Sequence, residues 1–130
     1  MTKERLNHFI WLKQEARQLE AEIEEITKSI TSASSPDLSG MPHGSEPSRL
    51  DNVIIRLDDI MGKYHRKLAV IAKEQREIED ALDTLDDPKL RVLMRYRYIK
   101  GMKWEEVAEK MHYELRWIYH LHGIALYLLK

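Results

Sequence analysis

Arg116, Tyr119 and His120 stand three and four positions apart in the run LRWIYHLHGIAL, near the C-terminal end of the sequence. On a helix that spacing puts all three on one side. Their shared chemistry is hydrogen bonding, since a guanidinium, a phenol and an imidazole suit base edges and phosphate oxygens. Other chemistries fail on spacing. His120 and His122 are two apart, so on a helix they point to different sides, and the chain has no cysteine to complete a metal set. No metal is expected. Most of the 22 acidic side chains fall in solvated helical runs, and the sequence has neither a nucleophile elbow nor a phosphate loop. No catalytic residue, cofactor or small-molecule substrate is expected, and the chain is not read as an enzyme.

Charge narrows the choice of partner. The formal net charge of −1 over 130 residues attracts nothing strongly as a whole. Residues 88–130, however, hold nine Lys and Arg against four Glu. Within this basic segment Arg95, Arg97 and Lys103 are the expected phosphate contacts, beside Arg116, Tyr119, His120 and Leu115 at the expected reading surface. No apolar run is long enough for a signal peptide or a membrane span, so a cytoplasmic protein with no membrane partner is expected.

The elements that must position these residues read as helices throughout. Phe9, Leu12, Ala16, Leu19, Ile23, Ile26 and Ile30 recur at steps of three and four, predicting a helix over about 3–31. Ile54, Leu57, Met61, Tyr64, Leu68, Ile71, Gln75, Ile78, Leu82 and Leu85 do the same over about 50–86, behind a Ser48–Asp51 capping pair. At 1.5 Å per residue these helices would be roughly 43 and 55 Å long. Between them, Ser, Pro and Gly without periodicity predict a loop over 32–48. An apolar stripe must be buried. The two helices therefore fold on each other as a coiled-coil-like antiparallel hairpin, or pair with those of a second chain, and a homodimer satisfies both. Asp87-Pro88 then reads as a helix start, with Leu90, Leu93, Met94 and Ile99 inward and Gly101 as the stop. The expected fold is all-α, with a helical arm over 1–86 and a three-helix unit over 87–130.

Residues 104–111, 112–114 and 115 to about 129 fit a helix, a turn and a second helix. Val107, Ala108, Met111, Tyr113, Ile118 and Leu121 take the buried slots, Ala108 at the crossing, and His112 the left-handed turn position. Placing Ile118, Leu121, Ala125 and Leu129 inward turns Arg116, His120, Gly123 and Tyr127 outward. Tyr119 flanks one edge of that outer face. Trp117, Ile124 and Leu128 form the other, an apolar edge expected to be a protein interface.

RVLMRYRYIKGMKWEEVAEKM followed by WIYHLHGIALYLL resembles region four of bacterial sigma factors. With the loop LSGMPHGS and the run YHLHGIAL, nearly the whole chain is similar to a family of small sigma-like regulators encoded by phages and prophages of Gram-positive bacteria. The resemblance implies a helix-turn-helix transcription regulator of the late-gene activator type, double-stranded promoter DNA as a partner, and RNA polymerase as a second. Leu115 and Trp117 stand in slots that in the family usually hold polar or basic residues. That leaves a further reading open, a coiled-coil interaction module whose helix-turn-helix does not read DNA.

Overall fold

The computed structural model describes residues 1–33 and 49–130. The Ser48 cap, the LSGMPHGS run and all but the first two positions of the expected loop lie outside the described residues. The order is α1 (Lys3–Ala33), α2 (Arg49–Leu82), α3 (Pro88–Met94), a π-helical turn (Arg95–Ile99), α4 (Trp104–Met111) and α5 (Leu115–Leu128). The fold is all-α, with no strand among the described residues.

Contacts gather the chain into two compact units, Met1–Lys13 with Val70–Lys130, and Gln14–Ala69. Their boundaries fall within α1 and α2 rather than at residue 86. The reason lies in what the first turns of α1 touch. Leu6 and Phe9 are buried, the Met1 amine donates to Leu129 O at 2.8 Å, and Lys13 Nζ donates to Ile99 O at 2.5 Å. Residues 1–13 therefore share a core with the C-terminal helices. That core takes Ile78 and Leu82 from α2, Leu93 and Met94 from α3, Val107 from α4 and Ile118 from α5, all at or near zero exposure. Each such side chain contributes roughly 1.5–3 kcal/mol relative to leaving it in water. Arg5 adds an ion pair to Glu74, with Nε to Oε1 at 2.6 Å, and another to Glu77. The hydrogen bond holds the Glu74 carboxyl below the usual carboxylate range and raises Arg5. Because Arg5 is substantially exposed, water screens the pair to no more than about 1 kcal/mol.

The second unit buries Ala16 of α1 and Ile60 of α2, with Ile23, Ile26, Leu57 and Tyr64 half-buried. Here the expected stripe on α2 is corrected. Ile54, Met61 and Leu68 are exposed, while Val53, Ile60 and Lys67, one position earlier each time, turn inward. Adjacent helical positions differ by 100°, and residues 53–54 and 60–61 are apolar at both, so periodicity does not choose between the two lines. At the third step the Lys67 ammonium reaches the Glu15 carboxylate at 3.5 Å, which accounts for a lysine on the inward line.

α2 ends at Leu82, four residues before the expected 86, and Arg91 Nη1 then ties the connection to α3 by donating to Leu85 O at 2.5 Å. Asp87 caps α3, its Oδ1 accepting from Lys89 N at 2.9 Å, with Pro88 behind it. The π-helical turn, with Lys100 N bonded to Arg95 O at 2.9 Å, interrupts the single helix expected to Gly101. Tyr98 is buried there, and Ile99, expected inward, is half-buried. Gly101 has the positive φ of 72° that suits a stop.

Candidate nucleic-acid interface

Between α4 and α5 the backbone turns at His112, whose φ of 60° and ψ of 40° are left-handed. Tyr113 N reaches back to Ala108 O at 3.1 Å, closing the end of α4. Ala108 is buried between the helices, where a small side chain lets them approach. Tyr113, expected in a buried slot, is 37% exposed instead, with the Lys89 ammonium 5.9 Å from its ring centroid. α5 starts at Leu115 after Glu114, which makes no side-chain cap.

Ile118, Leu121, Ala125 and Leu129 are buried along α5. Arg116, Tyr119, His120 and Tyr127 face solvent, and Leu115 is half-buried. On the apolar edge Trp117, 45% exposed, stands with Ile124 and Leu128, both also exposed. The expected division of this surface shifts in one respect. His120 stacks on Trp117, with ring centroids 5.0 Å apart and planes at 29°, and so joins the Trp117 edge. Tyr119 packs edge-on against Trp104, at 5.7 Å.

The three expected phosphate contacts have different surroundings. Lys103 is exposed just before α4. Arg95 lies 3.6 Å from a carboxylate oxygen of Glu79, an ion pair that partly offsets its charge. Arg97 spreads its guanidinium over the Trp104 ring at 4.6 Å, and Nη1 donates to Met102 O at 3.0 Å. Its Nε is buried with no partner among the described residues. Arg97 is thus anchored inward by stacking as much as by hydrogen bonding.

Beneath Arg97 lies a cluster that the spacing argument missed. His122 is only 7% exposed, and its Nε2 is joined to Tyr98 Oη by a 2.7 Å hydrogen bond. Trp104 meets the imidazole edge-on at 4.5 Å. Burial first, and then the positive charges of Lys3 and Arg97, push His122 down from 6.5 to about 4. Burial pushes the Tyr98 phenol up to about 12. Both are neutral at pH 7. The signal was in the helical wheel, where residue 122 falls only 40° from Ile118 and well inside the buried arc.

No group of three or more potential ligands for a metal ion forms among the described residues, and none of their helices is long and apolar enough to cross a membrane. A family pattern described as a protein of unknown function (DUF1492) matches residues 29–129, and the chain belongs to that family. No curated protein and no solved structure matches it.

Proposed function

We propose that this member of the DUF1492 family is a DNA-binding transcription regulator that reads promoter DNA with α5. The observation that carries the reading is the α4–turn–α5 pair. A left-handed turn at His112 frees the N-terminal residues of α5 into solvent with Arg116 among them, in a segment holding nine Lys and Arg against four Glu. Helices so mounted enter the major groove with their first turns, and Arg is the commonest reader of guanine. Lys103 and, once released from Glu79, Arg95 supply phosphate contacts. The resemblance to phage-encoded sigma-like regulators points to late-gene promoters, with RNA polymerase meeting the Trp117, Ile124 and Leu128 edge.

The test is fluorescence anisotropy of labelled duplex DNA, including promoter DNA of the source phage or prophage, at about 50 and 200 mM salt. Affinity is expected to fall steeply with salt, and Arg116→Ala is expected to cost about 1–3 kcal/mol on the specific site. No binding at the lower salt refutes DNA recognition. Equal binding by Arg116→Ala removes base reading and leaves backbone attraction.

A specific observation also favours self-association. Leu50, Ile54, Met61 and Leu68 are all exposed on α2, the last three at heptad spacing. The first half of this stretch holds Asp51, Asp58 and Asp59 against one basic residue, Arg56, and its second half holds the exposed Lys63 and Arg66 with no acidic residue. An antiparallel two-fold pairing of α2 with its copy sets one set against the other while burying the stripe. Met61→Glu is then expected to lower the mass seen in sedimentation equilibrium; an unchanged mass refutes the pairing.

A further inference from the structure

Lys3, Asn7, Arg97, Trp104, Tyr119 and His122 line a cavity of about 330 Å³. All of them belong to the unit formed by residues 1–13 and 70–130. Two features set this cavity apart from an ordinary surface cleft.

The first is uncompensated positive charge. Neither Lys3 nor Arg97 forms an ion pair with a carboxylate among the described residues, and no carboxylate lines the cavity. Arg97 is half-buried, yet its one hydrogen bond goes to a neutral carbonyl, Met102 O. A guanidinium taken out of water is normally paired, because the cost of desolvating a charge is returned only by a counter-charge. Both cations also act on the buried imidazole at the cavity wall, where they disfavour its protonated form. The second feature is the donor set. Lys3 carries an ammonium, Asn7 an amide and Tyr119 a phenol, all lining the same cavity as the guanidinium, while Trp104 and His122 supply ring surface.

We propose that this cavity binds the phosphate of a small phosphate monoester. A phosphate monoester carries close to two negative charges at pH 7 and balances Lys3 and Arg97 together, where a carboxylate or a DNA phosphodiester balances one. Three terminal oxygens can accept from several donors at once, and Arg and Lys are both suited to phosphate. The volume exceeds what the phosphate group fills and lies in the range of small-molecule sites, leaving room for an organic group against Trp104 and Tyr119. The site shares Tyr119 with the surface that carries Arg116, but its charge comes from Lys3 and Arg97, and the proposal does not rest on DNA recognition by Arg116.

The experiment titrates the full chain at constant ionic strength, followed by backbone amide chemical shifts and by thermal denaturation. The probes are inorganic phosphate and adenosine 5′-monophosphate, with adenosine as the phosphate-free control. Both phosphate probes are expected to give saturable shifts at Lys3, Asn7, Trp104 and Tyr119 and to raise the melting temperature, with the nucleotide the tighter. Lys3→Gln, a change at an exposed position, is expected to weaken binding roughly tenfold while leaving the unliganded spectrum intact. Tyr119→Phe provides a second variant that keeps the ring and removes the hydroxyl. No saturable shift from either phosphate probe up to about 10 mM overturns the proposal. So do unchanged affinity in both variants, equal shifts from adenosine, or a pattern of shifts produced by 5′-hydroxyl duplex DNA and by neither phosphate probe.

Discussion

His122 offers the sharpest prediction, because its position fixes both sign and size. Burial dominates its environment, and the positive groups facing it are Lys3 from α1 and Arg97 from the π-helical turn, with neutral Tyr98 and Trp104 completing the wall. The folded value of about 4 lies below the 6.5 of an unfolded histidine, so in acid the unfolded chain takes up a proton that the folded chain refuses. Stability is therefore full above pH 6.5, falls as pH drops toward 4, and levels off below that. The interval spans roughly 2.5 pH units at about 1.4 kcal/mol each, which sets an upper bound of roughly 3 kcal/mol, with about 2 kcal/mol already lost at pH 5. The measured quantity is a difference between two proteins, which cancels every contribution they share. Urea unfolding of the wild type and of His122→Gln, which keeps a polar partner for Tyr98 but cannot titrate, is compared at pH 7.5, 6 and 5. The wild type is expected to lose about 2 kcal/mol more than the variant between the first and last pH. Parallel loss in the two proteins refutes the reasoning, as does an NMR titration of His122 with its midpoint near 6.5.

Two further substitutions probe the same unit. Tyr98→Phe removes the partner of the buried His122 Nε2 and is expected to cost about 1–3 kcal/mol in urea unfolding at pH 7.5, with a loss near zero arguing that water replaces the phenol. Ala108→Leu forces extra volume into the buried crossing of α4 and α5 and is expected to cost about 1–3 kcal/mol by thermal denaturation, whereas an unchanged melting temperature means the crossing has slack.

How far the sequence reached depended on whether a residue's neighbours in space were also its neighbours in the chain. Asp87-Pro88, Gly101, His112 and the limits of α4 and α5 were legible because caps, left-handed turns and helical periods are local. The side facing inward on α2 was not. Ile54 and Val53, or Met61 and Ile60, satisfy the same period, and a distant carboxylate at Glu15 draws Lys67 inward. The π-helical turn carries no proline or glycine to announce it. Arg97 read as a phosphate contact because its charge is visible in sequence and its position over Trp104, seven residues on, is not. The same holds for Tyr98 and His122, 24 residues apart and joined by one hydrogen bond.

The aromatic contacts of α5 also bear on how it would meet DNA. Tyr119 leans on Trp104 and His120 on Trp117, so two of the three donors expected to read bases are held sideways by rings rather than projecting freely. Arg116 makes no such contact among the described residues and stays exposed in the first turn. On the proposed reading, recognition through this helix would concentrate on Arg116, and a single bidentate pair to guanine supplies about 1–3 kcal/mol of discrimination against the wrong base. Known specific sites discriminate by about 4–10 kcal/mol, so the remainder must come from elsewhere. A second copy of the chain, held by pairing of α2, would supply a second α5 and double the base contacts, which would tie sequence specificity to the exposed Ile54, Met61 and Leu68 stripe. On this reasoning Met61→Glu weakens binding to a two-half-site promoter far more than to a single half-site of the same length, and equal losses on both separate the stripe from DNA recognition.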